Sequence, residues 1–395
     1  MLGTIYIGMS GLTAYSQGLH TISNNVANLN TAGFKTSTPS FTDMYYGRQF
    51  AQNSRGYSHS MQYGSGVEYG YASLNFAQGD LRRSSGLLDL AIQGSGFLTL
   101  LDGSRPLYAR TGQFAAADDG FITDKITGLK LAALTSSGSL APLSIAGKET
   151  SPPSATTAVS FTDNLSPGST NFSISNVDVY DANGGKHTLK LAFATDSAIV
   201  QGRWKVTVTD EDGSTIQEGR LQFNGGIPEP GQDKISVTLT SSPPLTVTLD
   251  FSRGVTAFSA GSTSTLRMTS QDGYGFGTLA SMNVDTDGQL VLTYSNSKTA
   301  KISAVALANF MDPQRLSQLG NGLFDGSQAP APRYAISKGP GVGEIKAGAA
   351  EASNVDLSTE FGQMILIQRG FQASSQVVST ANEMIMQLFQ MRGQG

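Results

Sequence analysis

The residues best suited to acid–base or metal chemistry in this chain are three histidines, His20, His59 and His187, and the run Asp285-Thr286-Asp287-Gly288. His20 falls in a helical pattern near the N-terminus, His59 in an aromatic-rich stretch and His187 beside a hairpin turn. None has a second ligand-type residue at metal-binding spacing. The Asp285 run resembles a calcium loop, but such a loop of about twelve residues closes on a bidentate Glu. Asn296 stands where that Glu is wanted, so a hairpin turn is the expectation. Gly339-Pro340-Gly341-Val342-Gly343 lacks the Lys-Ser/Thr of a phosphate loop, and Pro340 removes a needed N–H, so it reads as a turn. There are no cysteines, which excludes disulfides, thiolate metal sites and cysteine catalysis. The expectation is a protein that is not an enzyme and has no catalytic, metal-binding or cofactor-binding residues and no cofactor.

The elements carrying the most pattern are the two ends. At the N-terminus apolar or small residues recur at Ile5, Gly8, Leu12, Tyr15, Leu19, Ile22, Val26 and Leu29. At the C-terminus the repeat runs Met364, Ile367, Phe371, Ser374, Val378, Ala381, Ile385 and Leu388. Spacing of three and four puts each set on one stripe of a helix, and such a stripe requires a partner helix. The two ends are the natural partners of each other. Periodicity alone fits equally well a helix that covers its own domain's core. Terminal position and outward faces of Ser, Gln, Asn and Thr, in place of Lys and Glu, favour burial against further copies.

Charged residues are only 14% of the 395, and the net charge is −4, so no basic face recommends nucleic acid. Gly, Ser, Thr and Asn are abundant, as in β-rich chains with many tight turns. No apolar run of about 18 residues exists, so no membrane insertion is expected. The first Lys or Arg is Lys35, so the charged start of a cleavable signal is missing.

The organisation reads as nested, mainly β with terminal α-helices. Residues 1–33 and 353–395 form a coiled-coil-like helical core; residues 4–28 are one helix, ended by Asn24, Asn25, Asn28 and Gly33. The second helix runs over 353–391, with Ser353-Asn354 as its cap region. Residues 34–70 are an extended arm rich in rings (Phe34, Phe41, Tyr45, Tyr46, Phe50, Tyr57, Tyr63, Tyr69). Residues 71–143 and 275–352 form an intermediate β domain with turns at Asp102-Gly103, Asp119-Gly120 and Thr127-Gly128. Residues 144–274 are an outer β domain with clear alternation, for example Leu189, Leu191, Phe193 and Trp204, Val206, Val208.

Ser10-Gly11-Leu12, Ser23-Asn24-Asn25-Val26-Ala27-Asn28 and Thr31-Ala32-Gly33-Phe34-Lys35 resemble the N-terminal signature of bacterial flagellar rod and hook proteins. Ser353-Asn354-Val355-Asp356-Leu357, Glu360, Met364-Ile365, Gln368-Arg369 and Phe371-Gln372-Ala373 resemble their C-terminal signature. Gly94-Ser95-Gly96-Phe97 and Tyr108 through Phe114 are similar to the segment shared between them. Two positions depart: Gly370 stands where the family often has Asn, which should loosen the helix by about 1 kcal/mol relative to Ala, and Ala350 where Leu often precedes Glu351.

The central segment, Val179-Tyr180-Asp181 through Trp204-Lys205-Val206 and Asp212-Gly213, resembles the outer domain of hook subunits. The resemblance implies a homopolymer, a curved hollow tube transmitting torque from rod to filament. It implies as partners the distal rod protein, the hook cap, the hook–filament junction proteins and the flagellar type III export apparatus. The location implied is extracellular, on the flagellum, reached without a cleaved signal. The assembly interface would comprise Ile5, Leu12, Tyr15, Leu19, Ile22, Asn24, Asn25, Val26, Asn28, Leu29, Gly33 and Phe34 at one end. At the other it would comprise Met364, Ile367, Phe371, Val378, Ala381, Ile385 and Leu388. A distal rod or other axial protein is the alternative within the family, and a β-rich extracellular adhesin the alternative outside it.

Overall fold

A computed structural model describes residues 2–52, 58–196, 200–240 and 243–392. The chain divides into two compact units. One comprises residues 1–146, 283–291 and 301–395, and the other residues 147–282 and 292–300.

The first unit holds both terminal helices. Helix α1, Leu2–Ala27, and helix α2, Leu357–Arg392, contain no proline. At about 1.5 Å per residue they span roughly 39 and 54 Å. α1 stops where Asn28 turns back, its N–H bonding to the Asn24 and Asn25 carbonyls and its side-chain amide to the Asn24 carbonyl at 2.9 Å. Gly33 then takes a positive φ that an L side chain resists. α2 is opened by Asp356, whose carboxylate accepts from the Ser358 N–H and the Thr359 hydroxyl. This corrects the expected cap: Ser353-Asn354 precedes the helix, and Asn354 has another task described below. Asp356 is the better cap because its charge also meets the positive end of the helix dipole.

The arm between α1 and the β body is a ladder of short antiparallel pairs: Ser37–Thr38 with Ser73–Leu74, Phe41–Asp43 with Val67–Tyr69, and Tyr46–Gln52 with Ser58–Gly64. It lies on α1. The Phe41 ring sits 5.3 Å from that of Tyr15, the Tyr69 hydroxyl bonds to Thr21 at 2.6 Å, and the Val67 N–H donates to Ser10. Tyr57 and the side chains of Phe50, His59 and Tyr63 lie outside the described residues.

In the β body, strand Phe97–Asp102 forms a hairpin with Arg105–Ala109 across Asp102-Gly103, and its other edge meets Lys130–Leu134 and Leu307–Asn309. Asp89–Gln93 runs between Thr111–Ala116 and Glu344–Ala347. The inward side chains include Leu90, Ile92, Leu98, Leu100, Phe114 and Leu131, all buried. The Asp285 run is a hairpin turn: one Asp285 oxygen accepts the Asp287 and Gln289 N–H groups, and the other pairs with Lys301 at 2.8 Å.

The second unit has two five-stranded sheets. One orders Lys234–Leu239, Leu245–Asp250, Ala158–Asn164 and Val255–Thr256, with Arg267–Gln271 also on Ala158–Asn164. The other orders Asn171–Tyr180, Lys186–Thr195, Arg203–Thr209, Thr215–Asn224 and Ile227–Pro228. Alternate residues from both, among them Val177, Leu191, Val206, Val237 and Leu249, fill one core. Phe161 stacks on Phe251 at 4.5 Å. The period-2 pattern read in the sequence is therefore the inner face of a sandwich.

Candidate assembly surface

α1 and α2 pack antiparallel. A Cβ built on Gly8 would lie 2.6 Å from a Val378 methyl, one on Gly11 2.5 Å from the Ser374 hydroxyl, and one on Gly18 3.1 Å from Ile367. On the facing helix, a Cβ on Gly370 would strike the Tyr15 ring at 2.7 Å. At the far end the Asn25 amide donates to Glu360 at 3.0 Å. The contact is thus a stripe of small residues, Gly8, Gly11, Ala14 and Gly18, that lets the helices approach closely.

Gly8, Ile22, Ile367, Ser374, Val378 and Ala381 lie on the contact as the sequence reading placed them, whereas on α1 Gly11, Ala14 and Gly18 take the places read for Leu12, Tyr15 and Leu19, one residue away. Ile22, Ile367 and Ala381 are buried, as the stripe requires. Val378 faces Gly8 and Tyr15 faces Gly370 across it, while Ile5, Leu12, Leu19, Val26, Leu29, Met364 and Ile385 flank it; all are half-buried. Phe371 and Leu388 fall off it and are 37% and 43% exposed. Glycine carries little hydropathy, so the large neighbours dominated the pattern. Gly370 has a packing role as well as a propensity cost, since it makes room for the Tyr15 ring.

The Asn-rich residues divide in two. Asn24 and Asn28 bond to each other at the helix end. Asn25 is buried; besides Glu360 it exchanges two hydrogen bonds with the Ser37 backbone, at 2.8 and 3.0 Å. It thereby ties α1, α2 and the start of the arm together. The Gly33 N–H donates to the Glu351 carbonyl at 2.8 Å, and Phe34 beside it is half-buried.

The outward faces are less polar than the sequence reading had them. On α2, Phe361, Ile365, Leu366, Met384, Met386, Phe389 and Met391 are exposed, Leu366 by 71% and Phe389 by 69%; on α1, Tyr6, Ile7 and Met9 are exposed. The register carries the end of α2 past the start of α1, so the Met386–Met391 stretch has no α1 opposite it. An apolar groove of about 410 Å³ between Thr4 and Val377, Thr380 and Met384 opens nearby. A helix pair this apolar on its outer face is incomplete by itself, because single soluble subunits rarely expose contiguous apolar surface on this scale. These residues were findable: Ile365, Leu366, Met386 and Phe389 are large and apolar but lie off the 3-4 stripe, leaving α2 apolar on more than one side. Among the described residues, no three His, Asp or Glu side chains gather as a metal site.

A close-packed antiparallel helix pair that is apolar outside as well as in is a surface suited to burial against further protein. Residues 5–35 match the family described as Flagella basal body rod protein, and residues 346–391 the Flagellar basal body rod FlgEFG protein C-terminal family. Residues 149–274 match the Flagellar basal body protein FlaE D2 domain.

The chain is 29% identical to the flagellar hook protein FlgE of Salmonella typhimurium, covering 97% of this chain and 98% of that one. It is 27% identical to the FlgE of Borreliella burgdorferi, over 99% of this chain and 100% of that one. The solved Helicobacter pylori hook protein FlgE2 aligns at a TM-score of 0.47 and 13% identity, over 67% of this chain and 99% of that one.

The chain belongs to the flagellar hook and rod axial protein family. It is a structural protein of the bacterial flagellum, outside the cell, and not an enzyme; it works by polymerising with other axial subunits.

Proposed function

We propose that this chain is the hook subunit, polymerising into a curved hollow tube that passes torque from rod to filament while bending. What carries the reading is the segment 149–274, which matches the D2 family, together with relatives named as hook proteins that align over nearly their whole length. The terminal helices (1–33 and 353–395) would form the inner tube through heterologous, non-closing contacts. The interface would use the flanks of the helix stripe and the arm at 34–70. The intermediate domain (71–143 and 275–352) and outer domain (144–274) would form the layers around it.

A bending tube stretches one side and compresses the other at each rotation, so its outer contacts must exchange. Polar contacts of about 1 kcal/mol or less can be traded for water, whereas apolar seams cannot. Partners of the reading are further copies, the distal rod protein, the hook cap, the hook–filament junction proteins and the type III export apparatus.

The test is expression in a motile host lacking its own hook subunit, with electron microscopy of the isolated structures. Curved tubes of hook dimensions carrying filaments support the reading. Short straight rods would place the chain among the rod proteins.

A further inference from the structure

Lys35 is fully buried, and so is Glu351; they lie 316 residues apart in the chain and pair at 2.6 Å. Arg110, also buried, bonds the other Glu351 oxygen through Nε at 3.0 Å. Both cations also bond to backbone carbonyls. Lys35 reaches the Ala77 carbonyl at 2.7 Å, and Arg110 reaches the carbonyls of Ile92, Gly94 and Gly96. Glu351 also accepts the Gly79 N–H at 2.9 Å. Beside the triad, Asn354 accepts from the Thr36 N–H and hydroxyl and donates to the Asn75 and Ala77 carbonyls.

The members come from five places: the exit of α1, the end of the arm, the Gly94–Gly96 loop, the strand end at Arg110 and the segment just before α2. The balance of charge is uneven, with two buried cations around one carboxylate. Burial, with the Arg110 charge adding to it, pushes the Lys35 ammonium down from its ordinary range, against the pull of Glu351. Without Glu351, seating Lys35 would bring a second unpaired cation beside Arg110 in a desolvated site, and an uncompensated buried charge is strongly destabilising.

We propose that Lys35, Arg110 and Glu351 form a charge lock that makes the docking of the two chain ends on the β body mutually dependent. The exit of α1 cannot settle until residue 351 arrives, and residue 351 needs both cations to be buried. The three are positioning residues: they set where α1 and α2 leave the body, and so which copies of the chain have their helices placed for assembly.

The lock has a signature that ordinary packing lacks, namely rescue by a second truncation. Glu351→Gln leaves two buried cations, whereas Lys35→Met together with Glu351→Gln removes one of them. The experiment is hydrogen exchange by mass spectrometry on the full chain as monomer. It follows backbone amides in 33–37, 75–80 and 351–354, with strands 189–193 and 204–208 as the internal reference.

Glu351→Gln is expected to lower protection in the first set by on the order of a hundredfold or more, leaving the reference strands unchanged. The double variant is expected to regain at least about tenfold of that protection, and to regain polymerisation with it. Unchanged protection in Glu351→Gln would overturn the proposal, as would a double variant as loose as the single or looser. Should Glu351→Gln fail to fold at all, the double variant decides: folded and protected supports the lock, unfolded overturns it.

Discussion

Gly8→Leu tests the small-residue stripe where α1 and α2 come closest. The first added carbon would lie 2.6 Å from a Val378 methyl and 3.3 Å from the Ser374 carbonyl oxygen. Carbon atoms pack best at about 3.5–4.0 Å, so the Val378 methyl must move, and three further carbons must find room against backbone. Overpacking of this kind costs up to about 3 kcal/mol. Leucine is the better helix former, returning about 1 kcal/mol, so the net loss is about 2 kcal/mol in the helix pair.

Gly362→Ala is the control, because nothing lies within 4 Å of a Cβ built there; it should gain about 1 kcal/mol from the same propensity term. Val378→Ala added to Gly8→Leu vacates part of the space and should recover some of the loss. The assay is thermal unfolding followed by helical circular dichroism, with tube formation scored by electron microscopy. If Gly8→Leu melts at or above the wild type and makes normal tubes, the helices do not pack through this stripe.

Three further outcomes are expected. Leu366→Asp and Phe389→Asp, at residues exposed in the single subunit, should leave the monomer's melting within about 0.5 kcal/mol of wild type yet abolish polymerisation, read by sedimentation. Asn25→Ala should cost about 1–3 kcal/mol, because it strips partners from the half-buried Ser37 backbone groups and from the buried Glu360, read by loss of amide protection around Ser37. In the sandwich, the His187 side chain and the Gly185 and Asn183 N–H groups hold the Asp181 carboxyl below its ordinary 3.8. The stability it contributes is full above 3.8 and is lost as pH falls through the lower folded value; Asp181→Asn should therefore weaken the unit at neutral pH and flatten its acid melting curve.

The sandwich was the most legible part of the sequence. Val177, Val179, Leu189, Leu191, Phe193, Trp204, Val206 and Val208 are large, apolar and strictly alternating, and all are buried. The terminal helices were legible as helices, and their contact line in part: Gly8, Ile22, Ile367, Val378 and Ala381 lie on it, while Leu12, Leu19 and Phe371 fall beside it. Gly8 was in the stripe, but Gly11 and Gly18, which also set the approach, act by lacking side chains, and absence leaves no mark in a hydropathy pattern. The Lys35–Glu351–Arg110 group went unread for another reason. Its members are far apart in the chain, and any one of them reads as an ordinary surface charge. Only folding reveals that three of the chain's few charges share one dry site. The expected cap at Ser353-Asn354 failed because Asn354 is spent on Thr36, Asn75 and Ala77, leaving the helix start to Asp356.

The central claim is that the apolar outer face of the terminal helices is completed by other copies of the chain. Met384, Met386 and Met391 sit on that face, 51%, 58% and 68% exposed in the single subunit. Methionine oxidation by dilute peroxide follows exposure of the thioether, so rates at these three residues, compared between monomer and assembled tubes by peptide mass spectrometry, measure the claim directly. The account predicts ready oxidation in the monomer and at least about tenfold slower oxidation in the tube, where packing denies peroxide the sulfur. Equal rates in both states would mean that the face stays open in the polymer and that assembly runs through other surfaces.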